Sequence, residues 1–331
     1  MGNKLENENR LQKLERNILN LSGMEVGVDI DVYDVHLSSD NYIHTIRCGD
    51  ENKEIILLIH GYGGTGILFY KMIKELAKKY KVYCIDLLGM GLSSRPKFEC
   101  KNAKDSIEFF VDSIDKWRTS LGLEEFILAG HSFGGHIACH FTAKYPEIVK
   151  KLFLISPLGF TKYNGEKPNY DKFKMNFFKK QVLKIRDVFF EKQVTMSQVV
   201  NDMWYIRIFM KTFIKARLKE KSEVGDWIYE YLIETYKMPE SSEKALFLIM
   251  NSDFQAHCPL EDIVEKMDIP VTVFFGYSDW MDDHGAQRLL MKKKHNYDVF
   301  YIKDAGHQIT MENPKGLLSY IVEEEEIVEF V

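Results

Sequence analysis

Closely spaced cysteine pairs are missing from this chain. Its five cysteines, Cys48, Cys84, Cys100, Cys139 and Cys258, stand far apart with no Cys-x-x-Cys. That argues against a zinc ribbon or a disulfide-dense secreted scaffold and suits reduced thiols in a cytoplasmic protein. Long apolar runs are missing too: none approaches the roughly 18–20 residues that a bilayer-spanning helix needs. There is no basic excess. The 44 basic and 49 acidic side chains leave a formal net charge of −5, which argues against a nucleic-acid partner. The first residues carry Glu6, Glu8 and Glu15 and no apolar core, so a secretory signal is not expected. Met1-Gly2-Asn3 opens like a myristoylation signal, but Glu6 stands where Ser or Thr is required. Internal repeats and low-complexity linkers are absent as well.

What is present is ordinary for a globular protein: 331 residues, 45% hydrophobic and 28% charged, enough for one large domain or two smaller ones. Leu5, Leu11, Leu14, Ile18 and Leu21 fall near helical spacing and predict an amphipathic N-terminal helix packed on its own domain, within a segment 1–25. Strand-rich stretches follow at 26–37, 41–48 and 55–59. The last, IILLI, is apolar at consecutive positions and reads as a strand buried on both faces. From there helices and strands alternate: helices near 66–79, 104–121 and 134–145, and strands near 81–88, 125–131 and 150–156. The alternation predicts parallel strands joined by helical crossovers. It stops after Phe160 and resumes at PVTVFFG (270–276), with a helix, a strand near 297–302 and a last helix near 314–328. Its acidic run Glu323–Glu326 reads as a solvated face.

The interruption differs in character. Between Thr161 and Lys221 there are 15 basic and 6 acidic residues, a local balance of +9 that leaves −14 on the rest of the chain. Because the strands after it resume the same pattern, the expected organisation is one α/β core (26–160 and 251–331) carrying a helical insertion at 161–250. Trp204, Tyr205, Phe209 and Phe213, with Met203 and Met210, make an apolar stripe at near-helical spacing. Such a stripe is packing surface, and over a lipid site it would also meet acyl chains.

The motif that carries chemistry is Gly130-His131-Ser132-Phe133-Gly134, between a predicted strand and a predicted helix. A serine on so sharp a turn needs small residues two positions to either side, hence Gly130 and Gly134. The turn also sets it at a helix N-terminus, where backbone N–H groups favour developing negative charge. A serine needs a base, and His307, in KDAGHQI just after the last predicted strand, is the candidate. Asp279, in GYSDW after PVTVFFG, is the candidate to orient the imidazole, with Asp282 and Asp283 as rivals. The order Ser132…Asp279…His307 is that of α/β hydrolases, not of chymotrypsin or subtilisin. The expected oxyanion donors are the amides of Phe133 and of Tyr62, the latter in His60-Gly61-Tyr62-Gly63-Gly64, where glycines such as Gly61 allow close approach of the backbone. His60 reads as support for that loop and His136 as a buried structural residue. No metal-ligand cluster or cofactor motif is seen, and none is expected.

These segments resemble the α/β-hydrolase-fold lipases of the abhydrolase-domain four and five subfamily. The resemblance runs over nearly the whole chain and is carried by HGYGG, DLLGMGLSSRP (86–96), FFVDSIDKWRTSLGLEEFILAGHSFGG (109–135), SPLGF (156–160), PVTVFFGYSDWMD (270–282) and DAGHQITMENP (304–314). The insertion matches least. The resemblance implies a mostly parallel central sheet flanked by helices, with the insertion as a lid that sets substrate choice. It implies a structural role for Asp86, Gly89 and Gly91, with Arg95-Pro96 anchoring their loop. The subfamily includes an N-acyl phospholipid lysophospholipase and a lipase co-activator that has lost its serine; Ser132 is retained here. Some members carry a His-x4-Asp motif proposed for acyl transfer to lysophospholipids, whereas this chain has His307 followed by Glu312.

The expectation is therefore a serine hydrolase acting on carboxylic esters, chiefly acyl chains of phospholipids or lysophospholipids. The alternatives are a general carboxylesterase, a lysophospholipid acyltransferase, or a non-catalytic co-activator. Its partner would be a lipid or small ester, with peripheral contact of the basic, aromatic insertion to an anionic membrane or lipid droplet.

Overall fold

Eight strands form one sheet in the order β1-β2-β4-β3-β5-β6-β7-β8. The strands are β1 (Ile30–His36), β2 (Tyr42–Cys48), β3 (Ile55–Ile59), β4 (Lys81–Ile85), β5 (Phe126–His131), β6 (Val149–Ile155), β7 (Val271–Gly276) and β8 (Tyr297–Ile302). Only the β1–β2 and β2–β4 pairings are antiparallel. The other five are parallel, as the alternation predicted. The computed structural model describes residues 9–163, 187–202, 210–212, 214–215, 223–292 and 296–322.

The central strands are apolar on consecutive positions because both faces are covered. All six residues of β5 and of β7 are buried. Side chains alternate across the sheet, so Leu57, Ile59, Leu128, Leu154 and Val273 enter the core on one face. Ile56, Leu58, Ile127, Phe153 and Phe274 enter the core on the other.

Before the sequence interruption stand α1 (Arg10–Asn20), α2 (Tyr70–Lys79), α3 (Ala103–Ser120) and α4 (Phe133–Lys144). Between β6 and β7 come α5 (Met196–Asp202), α6 (Glu223–Tyr236), α7 (Ala245–Ile249) and α8 (Leu260–Val264), and after β7 come α9 (His284–Met291), α10 (Ile309–Glu312) and α11 (Pro314–Val322). Helices α3, α4 and α7 to α9 supply one core. Helices α1, α2, α5, α6 and α11 supply the other.

Local sequence explains the helix starts. Asn9 accepts from the amides of Leu11 and Gln12, while the Gln12 side chain accepts from the Asn9 amide, a reciprocal cap. Leu14, Ile18 and Leu19 then bury one side of α1. Asn102 caps α3 by accepting from the Asp105 amide at 2.9 Å. Trp117, fully buried on α3, donates through its indole N–H to Thr45 Oγ1 at 2.9 Å. Burial of a side chain this large contributes roughly 1.5–3 kcal/mol.

Between β6 and β7 the described residues hold helices and a single isolated bridge, Met250 to Ala256, with no strand. Trp204, Tyr205, Phe209 and Phe213, with Met203, lie outside the described residues, as do Leu5 and the run Glu323–Glu326. Met210 is described and buried. Arg95 ties the 86–96 loop to this helical segment: its guanidinium donates to the carbonyls of Gly89, Gly91 and Thr235, each at 3.1 Å. Asp86 organises the same loop by accepting from the amides of Gly66 and Leu92.

Candidate active site

Ser132 stands between β5 and α4 with φ 53° and ψ −115°. A left-handed φ is strained for a residue with a side chain and recurs at functional turns. The flanking glycines make room for the turn. A Cβ on Gly130 would lie 2.4 Å from the Gly134 carbonyl oxygen, and one on Gly134 would lie 2.4 Å from those of Ile59 and His60. No side chain fits at either place.

The loops after β7 and β8 bring two further groups to this turn. His307 Nε2 lies 3.0 Å from Ser132 Oγ, and His307 Nδ1 lies 3.2 Å from Asp279 Oδ1. All three side chains are buried or nearly so. Burial pushes the Asp279 carboxyl upward, but the hydrogen bond and charge of His307 outweigh it, and the group sits below its ordinary range. Asp279 Oδ1 also accepts from the Met281 amide at 3.1 Å. Its two rivals face elsewhere. Asp282 bonds the ring and the amide of His284, and Asp283 accepts from the Tyr301 hydroxyl.

The expected oxyanion donors are the amides of Phe133 and Tyr62. Phe133 opens α4, and its amide and that of Tyr62 donate to no described residue. A Cβ on Gly61 would approach Ser132 Cβ to 3.0 Å, so the loop after β3 runs against the nucleophile turn. His60 fixes this loop. Its Nε2 accepts from the Leu87 amide at 3.0 Å, which leaves the proton on Nδ1 to donate to the Gly61 carbonyl at 2.8 Å. Burial lowers the His60 pKa and keeps the ring neutral. The Gly61 carbonyl and the Tyr62 N–H belong to one peptide plane, so His60 orients the Tyr62 donor.

Sequence reasoning passed over His131, the variable residue of the motif. Its Nε2–H donates to the His307 carbonyl at 2.8 Å, and its ring centroid lies 5.0 Å from that of His307. Burial, with the neighbouring His307, lowers His131 to about 3. Trp280 was missed as well. It stacks obliquely over His307, with centroids 5.1 Å apart. No local pattern marks either contact, because each joins residues distant in the chain or on separate turns.

Ser132, His307, His131 and Trp280 line a cavity of about 380 Å³. Its walls include Leu158, Met196, Met210, Leu232 and Leu246, most of them from the helical segment between β6 and β7. An apolar chamber lined in part by a serine and an imidazole can hold a hydrocarbon chain and present its carbonyl to the serine. Among the described residues, the grouping with three metal-capable ligand atoms together is Asp282, Asp283 and His284, on the surface and already bonded to one another or to Tyr301.

The family model described as the alpha/beta hydrolase fold matches residues 54–314. The chain belongs to the α/β-hydrolase-fold family. Within this family it is 29% identical over 300 residues to human 1-acylglycerol-3-phosphate O-acyltransferase ABHD5, covering 85% of this chain and 80% of the relative. It is 28% identical over 298 residues to the mouse (Lyso)-N-acylphosphatidylethanolamine lipase, covering 88% and 84%. A probable 1-acylglycerol-3-phosphate O-acyltransferase of Oryza sativa subsp. japonica is 29% identical over 297 residues, covering 86% and 70%. Among solved α/β-hydrolase structures, carboxylesterase CesB from Bacillus subtilis superposes with a TM-score of 0.67 at 17% identity, over 95% of this chain and 96% of that one. The family thus includes lipases, esterases and acyltransferases.

Proposed function

We propose that this protein is a serine hydrolase that cleaves carboxylic esters of lipids, most readily the acyl chains of phospholipids or lysophospholipids, through an acyl-enzyme. The observation that carries the reading is the hydrogen-bonded chain Ser132–His307–Asp279, whose serine and histidine line an apolar cavity. Ser132 Oγ attacks the ester carbonyl as His307 Nε2 takes its proton. The amides of Phe133 and Tyr62 receive the oxyanion, and Asp279 steadies the imidazolium. His307 then returns the proton to the leaving alcohol. A water, deprotonated by the same histidine, releases the fatty acid and frees Ser132. The helical segment at 161–250 serves as the lid, since it supplies much of the cavity wall.

A second reading is favoured by the relatives named as acyltransferases. In it an alcohol replaces water at the second step and the same residues keep their roles. A general carboxylesterase would use identical chemistry on smaller esters, and a co-activator would need none of it. For localisation, no helix among the described residues is long and apolar enough to cross a membrane. Contact with an anionic surface through the lid would involve Phe177, Phe178, Trp204, Phe209, Lys179 and Lys180, which lie outside the described residues, while Phe189 and Phe190 of the same segment pack against the cores.

The test is a lipid profile of a mixed membrane extract incubated with wild-type protein or with Ser132→Ala. The reading expects free fatty acid and the matching lysolipid or glycerophospho product from the wild type alone. Equal products from folded Ser132→Ala would refute it.

A further inference from the structure

We propose that Glu312 is the positioning residue of His307, gripping the backbone on either side of the histidine so that the imidazole stays aimed at Ser132. This rests on the reading of His307 as the base. The Gly306 amide donates to Glu312 Oε2 at 2.8 Å, and the Gln308 amide reaches Glu312 Oε1 at 3.4 Å. The carbonyl between them, that of His307, accepts from His131 at 2.8 Å. One backbone group of each of Gly306, His307 and Gln308 is thereby held by a side chain.

The chain builds this grip locally. After His307 it enters α10, where the amides of Met311 and Glu312 return to the Gln308 carbonyl at 2.9 and 2.8 Å. One tight turn carries the side chain of Glu312, five residues on, back over the start of its own loop. A carboxylate suits the place because it only accepts and can take two N–H donors at once. His307 would otherwise sit on a loop between β8 and a helix of four residues. Such loops fluctuate, and a displacement of about 1 Å at a reacting group costs on the order of 100-fold in rate.

Both Glu312 oxygens accept from backbone donors, so the acid of this His-x4-Glu stretch acts through His307. Whatever accepts the acyl group, water or an alcohol, then meets the same histidine. Loss of Glu312 slows both outcomes alike.

The experiment uses the full chain with Glu312→Ala and Glu312→Gln, each checked for folding by thermal melting. Three quantities are read: the rate of labelling by a fluorophosphonate, kcat and KM for a lysophospholipid, and the ratio of free acid to acyl-glycerol formed in added glycerol. Fluorophosphonate labelling needs the activated serine but no acyl acceptor. Glu312→Ala is expected to lower labelling and kcat by the same factor, roughly 10–100-fold, with KM within about twofold and the product ratio unchanged. Glu312→Gln keeps one acceptor oxygen and should lose less. Labelling at the wild-type rate in folded Glu312→Ala and Glu312→Gln would overturn the proposal, as would a changed product ratio. Wild-type protein that does not label at all would instead bring down the reading of Ser132.

Discussion

The Tyr236 hydroxyl, at the end of α6, donates to the Gly63 carbonyl in the loop after β3. Gly63 follows Tyr62, whose amide is the proposed second oxyanion donor. The helical segment over the cavity is thus joined to the catalytic loop through a bond between residues 173 positions apart. Tyr236→Phe keeps the ring that lines the cavity and removes only this bond. It should cost about 1 kcal/mol of stability and lower kcat several-fold with little change in KM. Paired denaturation and steady-state kinetics check it; a KM effect with kcat intact would assign Tyr236 to substrate binding instead.

The sheet was legible in the sequence where burial is two-sided. IILLI, FILAG and VTVFFG are runs dominated by apolar and β-branched residues, and each is a strand within a residue or two of its expected limits. The first edge strand was less so. It was expected from Val26 but begins at Ile30, because residues 25–29 close a turn in which the amides of Val28 and Asp29 return to the Glu25 carbonyl. Ser132, His307 and Asp279 could be gathered from chain order, since each follows a strand at the same sheet edge. The bonds of His131, Tyr236 and Glu312 could not, because a side chain reaching a backbone group leaves no periodic trace. Glu15 is the plainest case. In sequence it was one acid on a helix, and in the fold it is 3% exposed and paired with His44.

That pair predicts an alkaline loss of stability. His44 is bonded at Nε2 to Glu15 (3.0 Å) and at Nδ1 to Asp34 (2.7 Å), and the Tyr231 hydroxyl of α6 donates to Glu15 at 3.2 Å. Burial pushes the imidazole down, but the charge of Glu15 and hydrogen bonds to both carboxylates outweigh it and hold His44 well above its ordinary value. A raised folded pKa gives stability that is complete below about 6.5 and lost as pH rises through the folded value. Glu15→Ala removes the buried partner of both His44 and the Tyr231 hydroxyl and should cost about 3 kcal/mol at pH 7, and less in alkali, where His44 gives up its proton. Urea denaturation at pH 7 and pH 10 measures both; a pH-independent cost would show that His44 is neutral.

The opposite sign holds for His60 and, more strongly, for three further histidines. Burial lowers His131 to about 3 and His140 to about 4, and it takes His136 well below its ordinary value. The unfolded chain protonates each near 6.5, so their contribution is complete above that pH and lost as pH falls toward the folded values. Near pH 5, unfolding should take up about three protons at these sites, a slope of about 4 kcal/mol per pH unit. His140→Asn should reduce the uptake by about one. Calorimetry in buffers of different ionisation enthalpy counts the protons, and an uptake near zero would contradict the buried neutral assignment.

The account stands or falls on whether Ser132 is activated by the groups hydrogen-bonded behind it. The direct measurement is intact-protein and peptide mass spectrometry after reaction with a fluorophosphonate, for wild type, Ser132→Ala, His307→Ala and Asp279→Ala. The account predicts one adduct per chain, on the peptide containing Ser132, absent from Ser132→Ala, and slowed by about 1,000-fold or more in His307→Ala with a smaller loss in Asp279→Ala. An adduct on another residue, or labelling of Ser132 that is indifferent to the loss of His307, would contradict it.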